Sequence, residues 1–216
     1  MGLQKLRAKA SNTKAAISTK GTRGRKSKRE QILRNAATLI AQHGFDATSM
    51  RDIATSVGML PGSLYYHFSS KEDLLLAIHR RIVSDMVAAI QKEIAHGETA
   101  WERLELAATT HLKSLLGGSN LVTIVSPNFA EDREELNKKL RAHRHEYEEI
   151  FKKIFDELSL PKDVDRRLLR LQLFGALNWV PIWYNHEGES SPETIAASFV
   201  MTIRQGTEAK TDKPEY

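Results

Sequence analysis

The stretch Thr48-Ser-Met-Arg-Asp-Ile-Ala-Thr-Ser-Val-Gly-Met-Leu-Pro-Gly-Ser-Leu-Tyr-Tyr-His-Phe-Ser-Ser-Lys-Glu-Asp-Leu-Leu75 decides how the rest of the chain is read. A helix-turn-helix needs two short helices crossing steeply. That demands a small residue where they touch, a backbone able to turn sharply, and apolar residues that lock the angle. Ile53, Ala54 and Val57 supply the inner face of a first helix, which Thr48 or Ser49 caps and which runs through Ser56. Ala54 lets the second helix approach, and Gly58 can take the positive φ of the turn. Pro61 suits the first turn of that second helix, expected to reach about His67, with Met59 and Leu64 packing back from the far side. Its outer face offers Ser63, Tyr65, Tyr66 and His67, which are hydrogen-bonding and stacking groups suited to a groove. Three consecutive residues cannot all face inward on a helix, so at least one of positions 65–67 is exposed. Ser69-x-x-Glu72 reads as a capping box opening a long helix. Lys71 sits at the start of that helix, where backbone N–H groups and the dipole favour a phosphate.

Outward from this stretch the pattern stays helical. Upstream, Leu33, Ala37, Ile40 and Ala41 keep helical spacing from Glu30 until Gly44. Downstream, Leu75, Ile78, Ile82 and Met86 carry the long helix to near Gly97, and another helix runs from about Ala100 to Leu116, where Gly117-Gly118 breaks it. The β-branched stretch Asn120 to Phe129 is ambiguous and is read as a short helix. From Glu131 to Leu158 the stripe Leu136, Leu140, His143, Tyr147, Ile150 and Ile154 alternates steps of four and three, the mark of a long amphipathic helix. Another is expected from Asp163 to about His186, kinked at Pro181, which cannot donate to the Leu177 carbonyl. Ser191-Pro192-Glu193 opens the last helix, with Ile195, Phe199 and Ile203 on one face. Convincing strands and internal repeats are missing, so the class is all-α.

Composition narrows the function classes. The 216 residues are 41% hydrophobic and 27% charged, which is ordinary globular composition, and cysteine is absent. That removes disulfide frameworks, thiolate catalysis and cysteine-ligated metal sites, and it fits a reducing, cytoplasmic location. The apolar run Leu171–Tyr184 is too short and interrupted to span a bilayer, so no membrane partner is expected. Charge is uneven. Residues 1–29 carry +10, residues 30–80 carry −1 and the remainder −4. A basic arm suits a polyanion partner, because each cation that meets a phosphate releases counterions; a solubilising tail or a membrane-surface arm has the same composition.

The run from Thr48 to Leu75, above all Gly-Ser-Leu-Tyr-Tyr-His-Phe followed by Ser-Lys-Glu, resembles the DNA-binding domain of the tetracycline-repressor-like (TetR) family of bacterial transcription regulators. The resemblance covers about Arg29 to Ile82. It implies that the Thr48 and Ser49 hydroxyls hold backbone phosphate, and that Tyr66, His67 and Lys71 contact phosphates. Tyr65 would meet phosphate or a base edge, with Gly62 and Ser63 at the end of the recognition helix that enters the major groove. Many members carry a polar residue just before that glycine; Pro61 stands here and cannot donate, so readout moves to Met59, Ser63, Tyr65 or the arm. Arg23 and Arg25 are candidates for the adjacent minor groove.

The same resemblance implies a homodimer formed by the last two helices, with Leu169, Leu173, Gly175, Ala176, Trp183, Phe199 and Ile203 at the interface. Two recognition helices would then read a pseudo-palindromic double-stranded operator. It implies an effector pocket among the middle helices, with Trp101, His111, Phe129, His143, Tyr147, Phe151 and Leu177 as candidates. Gly175-Ala-Leu-Asn-Trp-Val-Pro-Ile-Trp-Tyr184 with Ser191-Pro-Glu resembles a branch of the family that responds to acyl-CoA thioesters. Lys138, Lys139, Arg141 and Arg144 are candidates for a nucleotide's phosphates, or a solvated face.

The expected organisation is a basic arm over 1–26, a helix-turn-helix domain over 27–72, a helical effector and dimerisation domain over 73–206, and a tail over 207–216. The expected function is a repressor released from its operator by a small molecule. The alternatives are an architectural or weakly specific DNA-binding protein without effector, and a helical adaptor. An enzyme is not expected: phosphate-binding glycine loops and Gly-x-Ser-x-Gly elbows are lacking. No cofactor or metal is called for either. His143-x-His145 points its rings to different helix faces, and no His-x-x-x-His occurs.

Overall fold

The computed structural model describes residues 28–117 and 133–208. Among these residues all regular structure is helical. The helices are α1 (28–43), α2 (Met50–Ser56), α3 (Pro61–Tyr65), α4 (Lys71–Ile94), α5 (Ala100–Leu116), α6 (Glu134–Glu157), α7 (Arg166–Trp183) and α8 (Pro192–Glu208). The segment Asn120–Phe129 lies outside the described residues, as do the arm and the last residues of the tail. The chain divides into two compact units at Ile78/His79.

The first unit is a three-helix cluster with the start of α4. Ile32, Ala36, Ile53, Ala54, Leu64 and Leu74 are fully buried at its centre. Gly44 and Gly58 take φ of 85° and 63°, the left-handed region that glycine enters without strain, and these are the turns that end α1 and separate α2 from α3. Ser49, not Thr48, is the cap of α2. Its Oγ accepts the Asp52 N–H at 3.1 Å, and the Asp52 carboxylate accepts the Ser49 N–H at 3.0 Å. Those bonds hold the Asp52 carboxyl below its usual range. Ser70, one residue later than expected, caps α4 by accepting the Asp73 N–H at 3.0 Å. α3 ends at Tyr65, short of His67, and the His67 and Phe68 N–H groups close its last turn by sharing the Leu64 carbonyl.

The second unit is built around α5, which packs against α6, α7 and α8. Thr99 caps it through a capping box with Glu102. A helix with neighbours on three sides has little surface left for water. Leu104, Ala107, Ala108 and Leu112 are accordingly inaccessible, and the two alanines allow close approach. α7 is shorter at both ends than its apolar pattern suggests. Asp165 accepts the Arg167 and Leu168 N–H groups and so fixes the start, and the chain turns extended at Tyr184. Pro181 therefore falls in the last turn, where little helix remains for it to kink.

Leu104→Ala opens a void at this contact of helices and is expected to cost about 2–5 kcal/mol, read as a lower denaturation midpoint at unchanged slope. Truncating the exposed Met201 on α8 changes stability by about 0.5 kcal/mol or less.

Candidate DNA-binding and effector sites

Leu64 is the buried anchor of α3, and its burial turns the rest of the helix outward. Pro61, Gly62 and Ser63 are exposed, Tyr65 is 53% exposed and Tyr66 is 71% exposed. A Cβ placed on Gly62 would meet nothing within 4 Å, so a large partner can approach this backbone closely. His67 is half-buried at the edge of the face, its ring edge-on to Tyr66 at 5.9 Å. Leu60, at 77% exposure, extends the surface and has no sequence signal beyond its place before Pro61.

Two residues expected on this surface are turned into the unit. Thr48 is 3% exposed, and its hydroxyl donates to the Gly44 carbonyl at 2.8 Å. The Lys71 ammonium donates to the Phe45 carbonyl at 2.9 Å and lies 4.4 Å from the Phe45 ring centre. Both therefore fasten the loop between α1 and α2. Ser49 is exposed, but its hydroxyl donates to Asp52 at 2.5 Å, which places a carboxylate at the start of α2. Lys28, unremarked in the sequence beyond its charge, donates to the Val57 carbonyl at 2.9 Å and so ties α1 to the turn. Arg23 and Arg25 lie outside the described residues.

In the second unit His111, Tyr147, Phe151 and Leu177 are buried together. The His111 Nδ1 is hydrogen-bonded to the Tyr147 hydroxyl. Phe174 of α7 completes the group, 4.8 Å from Phe151 and 5.9 Å from Tyr147 between ring centres. It was missed because periodicity alone assigns α7 two apolar faces. Burial drives the His111 pKa down to about 4, against a smaller upward pull from Asn178. Burial also raises Tyr147 well above the ordinary phenol range, helped by the charge of Glu148. His143 stands one turn before Tyr147, its ring 5.4 Å from that of His79 and its Nε2 3.5 Å from Arg80. Trp101 is not with this group. It lines a separate open groove of about 710 Å³ with Thr99, Glu105 and Met201, near Arg204. Phe129 lies outside the described residues.

Of the interface candidates, Gly175 and Trp183 are exposed, while Leu173 and Ile203 are buried within the single chain. Leu169, Ala176 and Phe199 are half-buried. The outward apolar stripe of α7 is Leu168, Leu171, Trp179 and Ile182 with Trp183, and a groove of about 460 Å³ lies between Leu168 and Gly206. Steps of three and four through 168, 171, 175, 179 and 182 were legible, but the inward stripe has the same spacing. Among the described residues no cluster of three or more His, Asp or Glu is placed to hold a metal. None of their helices is long and apolar enough to cross a membrane.

His111 generates a pH prediction. Its folded pKa lies below its unfolded value, so the unfolded chain binds more protons between those values. Stability is full above about pH 6.5 and falls as pH drops toward about 4, by about 3 kcal/mol from this residue. Denaturant titrations at a series of pH values check this, and His111→Asn removes that part of the slope.

The family model described as "Bacterial regulatory proteins, tetR family" matches residues 32–78. A second, "Tetracyclin repressor-like, C-terminal domain", matches 97–207, more than half of the chain. The chain is 29% identical over 194 residues to the HTH-type transcriptional repressor KstR2 of Rhodococcus jostii (strain RHA1), covering 86% of this chain and 93% of that protein. It is 26% identical over 185 residues to the fatty acid metabolism regulator protein of Bacillus subtilis (strain 168), covering 83% and 95%. The crystal structure of the transcriptional regulator FadR from Bacillus subtilis in complex with stearoyl-CoA shares the fold, with a TM-score of 0.71 at 24% identity over 82% of this chain and 98% of that one. The helix-turn-helix with its exposed α3 surface falls inside the first match and the helical unit around α5 inside the second: the chain belongs to the TetR family of bacterial transcriptional regulators.

Proposed function

We propose that this regulator is a cytoplasmic homodimer that represses transcription and leaves its operator when an acyl-CoA thioester binds in the second unit. The observation that carries the DNA half of this reading is the outward face of α3, where Gly62, Ser63, Tyr65 and Tyr66 are exposed. A short helix buried on one side through Leu64 and polar-aromatic on the other has the form that enters a major groove. Residues 27–72 form the DNA-binding domain and 73–206 the effector and dimerisation domain in this reading. The arm over 1–26 supplies a general electrostatic attraction to the duplex.

The dimer is supported by the α7 stripe. Leu168, Leu171, Trp179 and Ile182 expose a continuous apolar strip that a lone chain leaves in water. A two-fold pair then offers two α3 helices to half-sites about 34–36 Å apart. The acyl-CoA reading is supported by the FadR structure, a complex with stearoyl-CoA, and by the aromatic group around Phe151 and Phe174, which offers an apolar chain a matching environment.

In this reading coupling runs along α4, the helix of 24 residues that starts in the first unit and ends in the second. The effector favours one of two arrangements and the operator the other. By linkage each weakens the other's binding by the same factor, typically 5- to 150-fold.

The test begins with duplexes selected from a random pool by the purified protein. An inverted repeat is expected, and addition of decanoyl-CoA or stearoyl-CoA is expected to weaken its binding within that range. Tyr66→Ala should weaken operator binding by about tenfold or more with the melting temperature unchanged. Trp179→Glu should shift the sedimentation coefficient to that of a monomer. Bulk DNA retention without an enriched repeat would overturn the operator reading, and enrichment insensitive to every acyl-CoA would overturn the effector reading.

A further inference from the structure

His143 and Arg80 form an arrangement that the family match does not assign. The His143 ring packs against His79, and its Nε2 faces Arg80 Nη2 at 3.5 Å. A guanidinium has only N–H donors and keeps its proton, so Nε2 can face it only with a lone pair. The ring is neutral, because burial and then the Arg80 charge pull its pKa below the ordinary histidine value. A neutral imidazole has one proton, which therefore sits on Nδ1. Nδ1 is buried and has no hydrogen-bond partner. Arg80 thus forces on its neighbour a buried donor with nothing to receive it, an arrangement that native interiors avoid.

Arg80 is itself incompletely satisfied. The contact to Nε2 is long for a hydrogen bond. Among the described residues no carboxylate closes an ion pair with it, whereas the next residue, Arg81, holds Asp85 at 2.7 Å. The Arg80 side chain is exposed and free to swing outward.

We propose that Arg80 and His143 bind an oxyanion of the effector, a phosphate or a carboxylate. An oxygen entering between them accepts from the guanidinium on one side. On the other it accepts from Nε2–H, the proton having moved from Nδ1 to Nε2 by tautomer exchange. Nδ1 then carries a lone pair in place of the stranded N–H, so the buried donor is gone while the nitrogen stays unpaired, and no net proton is gained or lost. The position sets the effector's direction. Tyr147 and Phe151 follow His143 at one and two helical turns along α6, so the apolar part points toward Phe151 and Phe174 while the anionic end stays at Arg80. This deepens the effector reading above and rests on it for the identity of the ligand as amphiphilic.

The test measures the affinity of the intact protein for three probes sharing one chain: decanoyl-CoA, decanoate and decanol. Arg80→Gln and His143→Phe should each weaken an anionic probe by about tenfold or more and leave decanol within about twofold. His143→Gln, whose amide can reach the Nε2 position, should keep affinity within about threefold and guards against a loss that is merely structural. The ¹⁵N spectrum of the imidazole should change from the Nδ1–H to the Nε2–H tautomer on saturation. Decanoyl-CoA binding that ignores both substitutions would overturn the site and leave the acyl-CoA reading standing. Decanoate binding through both residues, with decanoyl-CoA not bound, would support the site and overturn the acyl-CoA reading. An unchanged tautomer in the bound protein, or no binding of either anion, would overturn the site.

Discussion

The second unit depends on one constraint: α5 is enclosed by α6, α7 and α8, so the side chains on its inner faces are apolar, small or hydrogen-bonded to a neighbouring element. Leu104 and Leu112 meet the first condition, and Ala107 and Ala108 the second. His111 meets the third at Nδ1, through Tyr147 on α6, while its buried Nε2 has no hydrogen-bond partner. An imidazole at that depth stays neutral at physiological pH, because burial disfavours the charged form. The polar pair therefore fixes the approach of α5 and α6 beside the aromatic group of Phe151 and Phe174. A helix that positions three others also transmits what happens among them. This is why a ligand in this region can act on the whole unit and not on one loop.

The first unit solves a different problem with the same economy. It is small, so its loops need polar fastenings in addition to apolar burial. Lys28 holds the Val57 carbonyl, Thr48 the Gly44 carbonyl, and Lys71 the carbonyl of Phe45. Each is a polar or cationic residue in a region that reads as DNA-facing. Their bonds point inward, and they act by setting the angle and stiffness of the surface that Ser63, Tyr65 and Tyr66 present.

The sequence announced most of the fold because helix starts and stops are local. Ser49 and Asp52 at the start of α2, Thr99 and Glu102 at the start of α5, and the positive φ of Gly44 and Gly58 all depend on residues within a few positions of each other. The shift of the α4 cap from Ser69 to Ser70 shows the limit of that information, since two adjacent serines satisfy the same pattern. The sites were less legible because they depend on distant partners. Whether Lys71 reaches a phosphate or the Phe45 carbonyl is decided by a residue 26 positions away. Leu173 and Leu171 belong to the same helical repeat pattern, yet one is core and the other exposed, because only the placement of α5 and α8 separates the two faces of α7. Phe174 and Arg80 went unnoticed for the same reason: neither has a motif, and each matters through what a different helix brings beside it.

The contrast between Lys71 and His143 carries this further. Both are polar groups on long helices at sites where a ligand was expected, a phosphate at Lys71 and an effector at His143, and spacing alone does not distinguish them. Lys71 has two backbone carbonyls and an aromatic ring within reach, so pulling it to a phosphate means breaking a completed set of contacts. His143 has a buried nitrogen with none and a neighbouring cation it can meet only by misplacing its proton. A binding partner gains little from the first, whereas at the second it removes a buried N–H that has no acceptor. A buried nitrogen left without a partner beside an exposed cation is therefore a stronger mark of a ligand site than charge or sequence position alone, because a ligand can reach the cation and take the proton that the nitrogen misplaces.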